Sequence, residues 1–330
     1  MRNIMVLRAL GFFALLAAAN PAAALATHTF VSATGSDSNA CTQTLPCLTF
    51  QRAVNVTAAG GMIDALTSGD FGSFVVNNSL TINGHGLATI QETSGQAVAV
   101  NEYATTDVVI LRGLTINGGG TGVEGVYYPG GGELVVDDCT ISGFTYDGIV
   151  NVTNGNSVLI VRNTTIVGGA TGIYVNEDGG MTTLEHVNIS GISTYGIEVL
   201  NSPGNLVIND SVINGGVYGV DIQSSAYYGA AAFAAMLERS TITNASTAGV
   251  YVGVGATNID STNFLFDGFP VEAQSGGVIR LSNNNVYNNN GPFASCVGGT
   301  IYTASNNRRA QNNESGEGGG CTTFTPITTQ

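Results

Sequence analysis

Residues 139–200 read CTISGFTYDGIVNVTNGNSVLIVRNTTIVGGATGIYVNEDGGMTTLEHVNISGISTYGIEVL, and one pattern returns in them three times: CTISGF at Cys139, TTIVGG at Thr164 and VNISGI at Val187. The same step, a small polar and an apolar residue followed by Gly or Asn, recurs as LTINGHG at Leu80, LTINGGG at Leu114, SVINGG at Ser211 and STITNA at Ser240. It fades to TNFLFDG at Thr262 and NNVYNNN at Asn284. The apolar anchors are Ile82, Ile116, Ile141, Ile166, Ile189, Ile213, Ile242, Phe264 and Val286. They are spaced by 34, 25, 25, 23, 24, 29, 22 and 22 residues, which marks a repeat architecture of about nine turns.

Within each turn the apolar period is two, the mark of strand and not of helix. A Gly-apolar-x-apolar piece follows the anchor: GIVNV at Gly148, GIYVN at Gly172, GIEVL at Gly196, GVDIQ at Gly219 and GVYVG at Gly249. A third piece precedes the next anchor, with apolar pairs such as Leu134 and Val136 or Leu159 and Val161. Three short strands per turn cannot bury their apolar faces alone, whereas stacked turns can. The expected fold is therefore all-β, a single-stranded right-handed parallel β-helix, a rod roughly 40 Å long at a strand spacing of ~4.8 Å. Leucine-rich repeats share the period but require a repeated Leu-x-x-Leu-x-Leu and an Asn ladder, neither of which is evident. An immunoglobulin-like array needs ~100 residues per unit.

Outward from the repeats, Thr49 to Ala59 carries Phe50, Ala53, Val54 and Thr57 at helical spacing, with Gly60-Gly61 to stop it. A helix here would cap the open end of the stack. Arg2 and Arg8, the apolar stretch Ala9 to Ala19 and the small-x-small Ala24-Leu25-Ala26 fit a cleaved export signal. The expected organisation is a signal peptide (1–26), an N-terminal strand, capping helix and first coil (27–78), the β-helix repeats (79–290) and a C-terminal cap and tail (291–330). Export places the chain in the extracellular or periplasmic space, where disulfides persist. Cys41 pairs with Cys47 and Cys296 with Cys321 as local staples, which leaves Cys139 among small residues as a buried, inert thiol.

The net charge of -14 comes from 23 acids and 9 bases, and all nine bases are Arg. So few cations cannot assemble a basic patch, which excludes nucleic acid as partner. The lack of lysine removes every mechanism that needs a lysine base or Schiff base. No segment after the signal is long and apolar enough to span a bilayer. With 46 Gly and only 10% charged residues, Asn, Ser and Thr must cover the surface.

FVSATGSDSNACTQTLPCLTFQRAV (30 to 54), GGMIDALTSGDFG (60 to 72) and SLTINGHG (79 to 86), followed by degenerate coils, resemble secreted bacterial right-handed parallel β-helix repeat proteins of the pectate-lyase-like superfamily. The resemblance covers essentially the whole mature chain and implies fold and export. It does not imply an activity, because the superfamily spans lyases, hydrolases, epimerases, tailspikes and members without known activity. The polygalacturonase set does not carry over: Gly84-His85-Gly86 stands alone, and Asp137-Asp138 lies in a different strand. Nor is a calcium-carboxylate cluster with an Arg base aligned.

Aligning the Gly-apolar-x-apolar strands gives an outward column of Tyr127, Val150, Tyr174, Glu198, Asp221 and Tyr251. Glu198 and Asp221 fall in adjacent turns, ~4.8 Å apart along the rod, and are the candidate catalytic pair. Tyr127, Tyr174 and Tyr251 are candidate sugar-stacking groups. A second column, Arg112, Asp137, Arg162, Glu185, Asn209, Glu238, Asp260 and Ser282, suits cross-strand pairing. Beside it run Asp138, Asn163, His186, Asp210 and Arg239. His186, between Glu185 and Asp210, is the candidate general acid or base, and His28 and His85 have no comparable setting. Glu177 and Asp178 in the Asn176–Gly179 turn could ligate Ca²⁺; no other cofactor is expected. The long steps at 117 to 132 and 224 to 236 read as loops leaving the rod, each with a Tyr-Tyr pair. The expectation is a secreted protein that binds a glycan, such as a polysaccharide or cell-surface glycan, or another surface, with no catalysis established; the alternatives are a polysaccharide hydrolase or lyase acting from the outer face of the β-helix and a structural envelope protein.

Overall fold

The structure is a computed structural model that describes residues 25–101, 104–153, 155–177, 179–200, 204–223, 233–313, 321 and 325–327. Most of the export signal lies outside the described residues, as do Asp178, residues 224–232 and most of the tail. Every strand-to-strand ladder is parallel, and each strand pairs with its equivalent one turn away. This is a parallel β-helix, with the right-handed crossovers that L-residues favour.

Each turn has three strands. In one turn they are Ser157–Arg162, Thr165–Val167 and Thr171–Val175, called here the leading, anchor and trailing strands. Stacked, they form three sheets around one core. Leu111, Val136, Val161, Leu184 and Ile208 fill it from the leading sheet, Ile116, Ile141, Ile166, Ile189 and Ile213 from the anchor sheet, and Ile149, Ile173, Ile197 and Val220 from the trailing sheet. All of these are at most 1% exposed. Removing one such side chain down to Ala costs about 2–5 kcal/mol.

Pairing corrects the first repeat step. Ile82 does not continue the anchor row: it lies opposite Leu111, in the leading sheet, while Ile90 lies opposite Ile116. The 34-residue step therefore compared two different strands, and the true step from Ile90 is 26 residues, in line with the others. LTINGHG and LTINGGG are alike because both end a strand at a Gly corner, and that local likeness masked the register. Most of the 117 to 132 segment is not a loop either, since Val108–Tyr128 runs as one continuous strand through all three sheets and only residues 129–132 lie outside it.

Two backbone requirements explain the columns beside the strands. Asp138, Asn163, His186, Asp210 and Arg239 hold φ of 53°, 50°, 53°, 50° and 47°. They form the left-handed corner between leading and anchor strands, a conformation Asn and Asp adopt most readily. The Gly near the start of each trailing strand has a different task, and φ at Gly148, Gly172 and Gly196 is not positive. A Cβ at Gly172 would lie 2.5 Å from Gly196 O and 2.6 Å from Ile189 Cγ2. These glycines are there for space, not for turning.

The capping helix is shorter than its sequence pattern. It spans Phe50–Val56, with Thr49 as N-cap accepting from the Arg52 N–H. Thr57 begins the strand Thr57–Ala65 instead, its hydroxyl donating to Ala53 O at 2.7 Å. Gly60-Gly61 therefore sits inside a strand and stops nothing. Cys41 is bridged to Cys47 and Cys296 to Cys321, while Cys139 is free and buried. A further correction concerns ladders of buried polar side chains, which the chain does contain in its C-terminal half. Asn284 Oδ1 accepts from Thr262 N at 2.9 Å, Asn307 Oδ1 from Asn284 N at 2.9 Å, Asn289 Oδ1 from Asp267 N at 2.9 Å and Asn312 Oδ1 from Asn289 N at 3.1 Å. These side chains satisfy corner N–H groups that would otherwise be buried without a partner.

Candidate functional site

The trailing sheet brings the expected column together. Tyr127, Val150, Tyr174, Glu198, Asp221 and Tyr251 are consecutive Cα partners, and the row continues to Glu272. The Gly motif that located the row is broken in the Glu272 turn, where Pro270 stands in the Gly position; Glu272 lies 21 residues on from its partner Tyr251 in the preceding turn. A parallel row three residues earlier was missed: Gln96, Glu124, Asp147, Thr171, Tyr195 and Tyr218. Its signal was the Tyr before Gly in TYGIEV and VYGVDI.

Together the two rows make a ridge of aromatic rings beside a line of carboxylates. Tyr195 and Tyr218 stack with centroids 5.8 Å apart at 11°, and Tyr218 meets Tyr251 edge-on at 5.2 Å and 66°. Side-chain amides hold the acids in place. Gln223 Nε2 donates to Asp221 at 2.7 Å, Gln274 Nε2 to Glu272 at 2.5 Å and Gln96 Nε2 to Glu124 at 2.8 Å. Asn176 likewise donates to the Tyr174 hydroxyl at 3.2 Å.

The column is not the open solvated face that alternation suggested. Asp221 is fully buried and Glu198 half-buried, and Asp221 Oδ1 has no hydrogen-bond partner. Burial, with the Asp221 and Asp147 charges added to it, pushes the Glu198 carboxyl up to about 7. Burial also pushes Asp221 up to about 6 against the Gln223 hydrogen bond, and Asp147 up to about 6 against that of Thr171. The phenols of Tyr174, Tyr195, Tyr218 and Tyr251 are raised as well, first by burial. Near neutral pH this surface is a set of desolvated carboxyls poised between charged and neutral forms.

His186 does not join that site. It occupies an exposed left-handed corner on a different face, 4.0 Å from Glu185. Arg239 holds its other expected partner, Asp210, in a two-pronged pair at 2.9 Å and 2.9 Å, while also donating to Glu238 at 2.8 Å. The expectation for the other histidines is corrected too: His28 Nε2 and His85 Nε2 flank Asp64 at 2.7 Å and 2.9 Å. That cluster ties Ala26–Val31 to Thr57–Ala65 and Leu80–Gln91, the strands stacked on it in succession, and residues 28, 64 and 85 are too far apart in sequence to flag it.

Glu177 turns inward. It is 2% exposed and accepts from Asn151 Nδ2 at 2.9 Å and Ser157 Oγ at 2.5 Å. Burial raises its carboxyl to about 7 despite those bonds. Protein donors thus occupy the oxygen that the turn reading offered to Ca²⁺. Among the described residues no three His, Cys, Asp or Glu side chains are grouped so as to hold a metal. No helix among them is long and apolar enough to cross a membrane.

Residues 72–229 match the family described as "Right handed beta helix region". No curated protein matches the sequence. Among solved structures the chain is similar to pectate lyase Pel9A, at 14% identity over 86% of this chain and 79% of that one, with a TM-score of 0.56. It is also similar to the A-module of the mannuronan C-5 epimerase AlgE4 of Azotobacter vinelandii, at 13% identity over 76% and 79%, with a TM-score of 0.62. A third similar structure is the enzymatically active domain of tailspike protein 2 of bacteriophage CBA120, at 11% identity over 78% and 43%, with a TM-score of 0.52. At these identities the similarity is one of fold.

Proposed function

From the premise that the chain folds as a right-handed parallel β-helix, we propose that it is a secreted protein that binds a glycan along its trailing sheet. The observation that carries this reading is the Tyr195–Tyr218–Tyr251 ridge lying beside Glu198, Asp221 and Glu272. Aromatic rings offer apolar faces to the C–H faces of sugar rings, and carboxyls and amides at one-turn intervals offer hydrogen bonds to hydroxyls. A rod suits an extended polymer, because successive turns repeat the same contacts along one axis. The names of the similar structures support a polysaccharide as the class of ligand. The two disulfides support an oxidising compartment.

A second reading, hydrolysis or elimination, has one specific observation in its favour. Glu198 and Asp221 are adjacent carboxyls at about 7 and about 6, and a pair whose environments separate the two titrations is the usual arrangement of an acid beside a base. In that reading Glu198 would hold the proton near neutral pH while Asp221 is ionised. Carboxyls ~5–5.5 Å apart would retain anomeric configuration, and ~6.5–9.5 Å would invert it.

One experiment tests both readings. A panel of neutral and acidic polysaccharides is screened for binding by affinity electrophoresis, and for new reducing ends and unsaturated products. Binding that is lost in Tyr195→Ala and Tyr218→Ala, without turnover, supports the first reading. Turnover abolished by Glu198→Gln and Asp221→Asn supports the second. Retention of all binding in the tyrosine variants would remove the ridge from the function.

A further inference from the structure

The three outward faces of the rod differ in kind. The anchor sheet presents small polar groups, such as Thr115 and Asn117, Thr140 and Ser142, and Asn188 and Ser190. The trailing sheet presents the tyrosines and acids described above. The leading sheet presents hydrocarbon: its central outward row runs Ile110, Val135, Ile160, Thr183, Val207 and Met236. The row two residues earlier adds Val108, Val158 and Met181, and Val108, Met181 and Met236 are 38%, 42% and 41% exposed. A groove of about 490 Å³ lies along this earlier row from Val108 to Met181, with Gly132 and Gly180 also in its lining. Isolated apolar residues on a surface need no explanation, but a stripe crossing six turns of one sheet does.

The margin of that stripe is the row Arg112, Asp137, Arg162 and Glu185, whose charges alternate along the rod. A two-fold axis parallel to the strands, passing between Asp137 and Arg162, sets this row against an inverted copy of itself. Arg112 then opposes Glu185 of the second copy, and Arg162 faces the partner's Asp137, which is 7% exposed and held by Arg112 and Arg162 of its own chain, so no like charges meet. The same rotation lays Val135 on Ile160, and Val108 on Met181. The groove spans the same four turns and shares the centre of symmetry. A two-fold along the rod would instead set the charged row against the Val108 row, where it has no partners.

We infer that the leading sheet is an isologous interface on which a second copy of this chain packs antiparallel, apolar stripe on apolar stripe, with the alternating row sealing one margin. The four turns that the two-fold overlays, by five residues, give a footprint of roughly 19 Å by 16 Å per copy, below that of most specific interfaces, so the dimer is weak and concentration-dependent. Glu133 is the one acid inside the stripe and lies opposite Val158, which weakens the contact further.

Sedimentation velocity on the purified full chain tests this. Dimer is expected to grow in as the concentration rises toward ~100 µM. Ile160→Arg should sediment as monomer with an unchanged melting temperature, since the residue points away from the core. Arg112→Ala and Glu185→Ala supply the sharper readout. They stand three turns apart, ~14 Å, too far to touch within one chain. Each should weaken the dimer roughly 3- to 10-fold, and the double variant little more than either alone. Additive effects would overturn the antiparallel arrangement, as would association that survives Ile160→Arg. A wild type that stays monomeric overturns the interface itself, and pelleting of that monomer with neutral phospholipid vesicles would assign the stripe to a membrane surface instead.

Discussion

Asp137 and Asp221 are both aspartates on outward rows of strands in one rod, and their surroundings drive them in opposite directions. Burial alone would raise Asp137, but hydrogen bonds from Arg162 at 3.2 Å, Asn163 at 3.1 Å and Arg112 at 3.0 Å outweigh it and hold the carboxyl below its ordinary value. Asp221 has one amide donor, no cation and an oxygen without a partner, and its carboxyl rises. The same contrast extends to their rows. Asp210, through Arg239, and Asp260, where hydrogen bonds from Ser282, Ser261 and Asn283 outweigh burial, are lowered on the leading side, while Asp147 and Glu198 are raised on the trailing side. Repeat position decides where a side chain stands, and the neighbouring turns decide what it can do. The leading acids act as staples, and the trailing acids are held back from ionising.

Removing each aspartate should break the comparison most plainly. Asp137→Ala orphans Arg112, Arg162 and Asn163 at a site that is 7% exposed, and thermal denaturation should show a loss of about 2–3 kcal/mol. Asp221→Asn removes a buried, under-satisfied charge and should leave the melting temperature at pH 8 unchanged or higher. If the two variants shift in the same direction, the contrast is false.

The corner residue Asp267 sharpens the comparison. Its Oδ1 accepts from Ala245 N at 2.9 Å, but Oδ2 is buried without a partner, and burial raises the carboxyl to about 8. In the next turn, the Nδ2 of Asn289 donates to Phe264 O at 3.2 Å. Asp267→Asn should supply the equivalent donor and stabilise by about 1–2 kcal/mol above pH 8 in chemical denaturation. An Asn variant less stable than wild type there would show that the charge is tolerated.

The two faces should also separate in pH. Glu198, Asp221 and Asp147 have folded values above their unfolded ones, so their contribution is fully present below pH 4 and is lost as pH rises through 6 to 7. Asp137 and Asp260 have folded values below 3.8, so their contribution is present above that value and lost as pH falls below it. Melting temperature should therefore fall on both sides of a mildly acidic maximum. The Glu198→Gln, Asp221→Asn double variant should make the alkaline limb shallower, with Asp147, Glu177 and Asp267 sustaining the rest of it, and leave the acid limb as it is. The smallest effect belongs to Arg239→Gln: its ion pairs lie on the open surface, and the melting temperature should hold within measurement error.

The fold was legible because a parallel β-helix writes its period into the chain. Ile116 through Ile242 sit on one row because each turn adds nearly the same number of residues, and spacing alone reveals that. Ile82 misled because a local motif can end two different strands, and only pairing separates them. The trailing row was legible where Gly172, Gly196, Gly219 and Gly249 marked its start, and it was lost at Pro270. Burial of Asp221 was not legible, since alternation reports which side of a strand a residue takes and not what covers that side. The surroundings of His186 and Glu177 were not legible for related reasons. A left-handed corner sets where His186 points, and Glu177 is turned inward by Asn151, 26 residues away.

Each ladder joins strands that are neighbours in the winding, so few contacts reach further along the chain than one turn of about 25 residues. Such a molecule has no single centre whose loss brings down the whole. Cohesion is handed from turn to turn, as in a zipper. Deleting one complete turn, for example residues 165–187, rejoins rows that already match and should leave a shorter rod. Deleting twelve residues would set corner against strand and stop the winding at that point. Evolution can thus lengthen or shorten this protein in steps, without redesigning what remains.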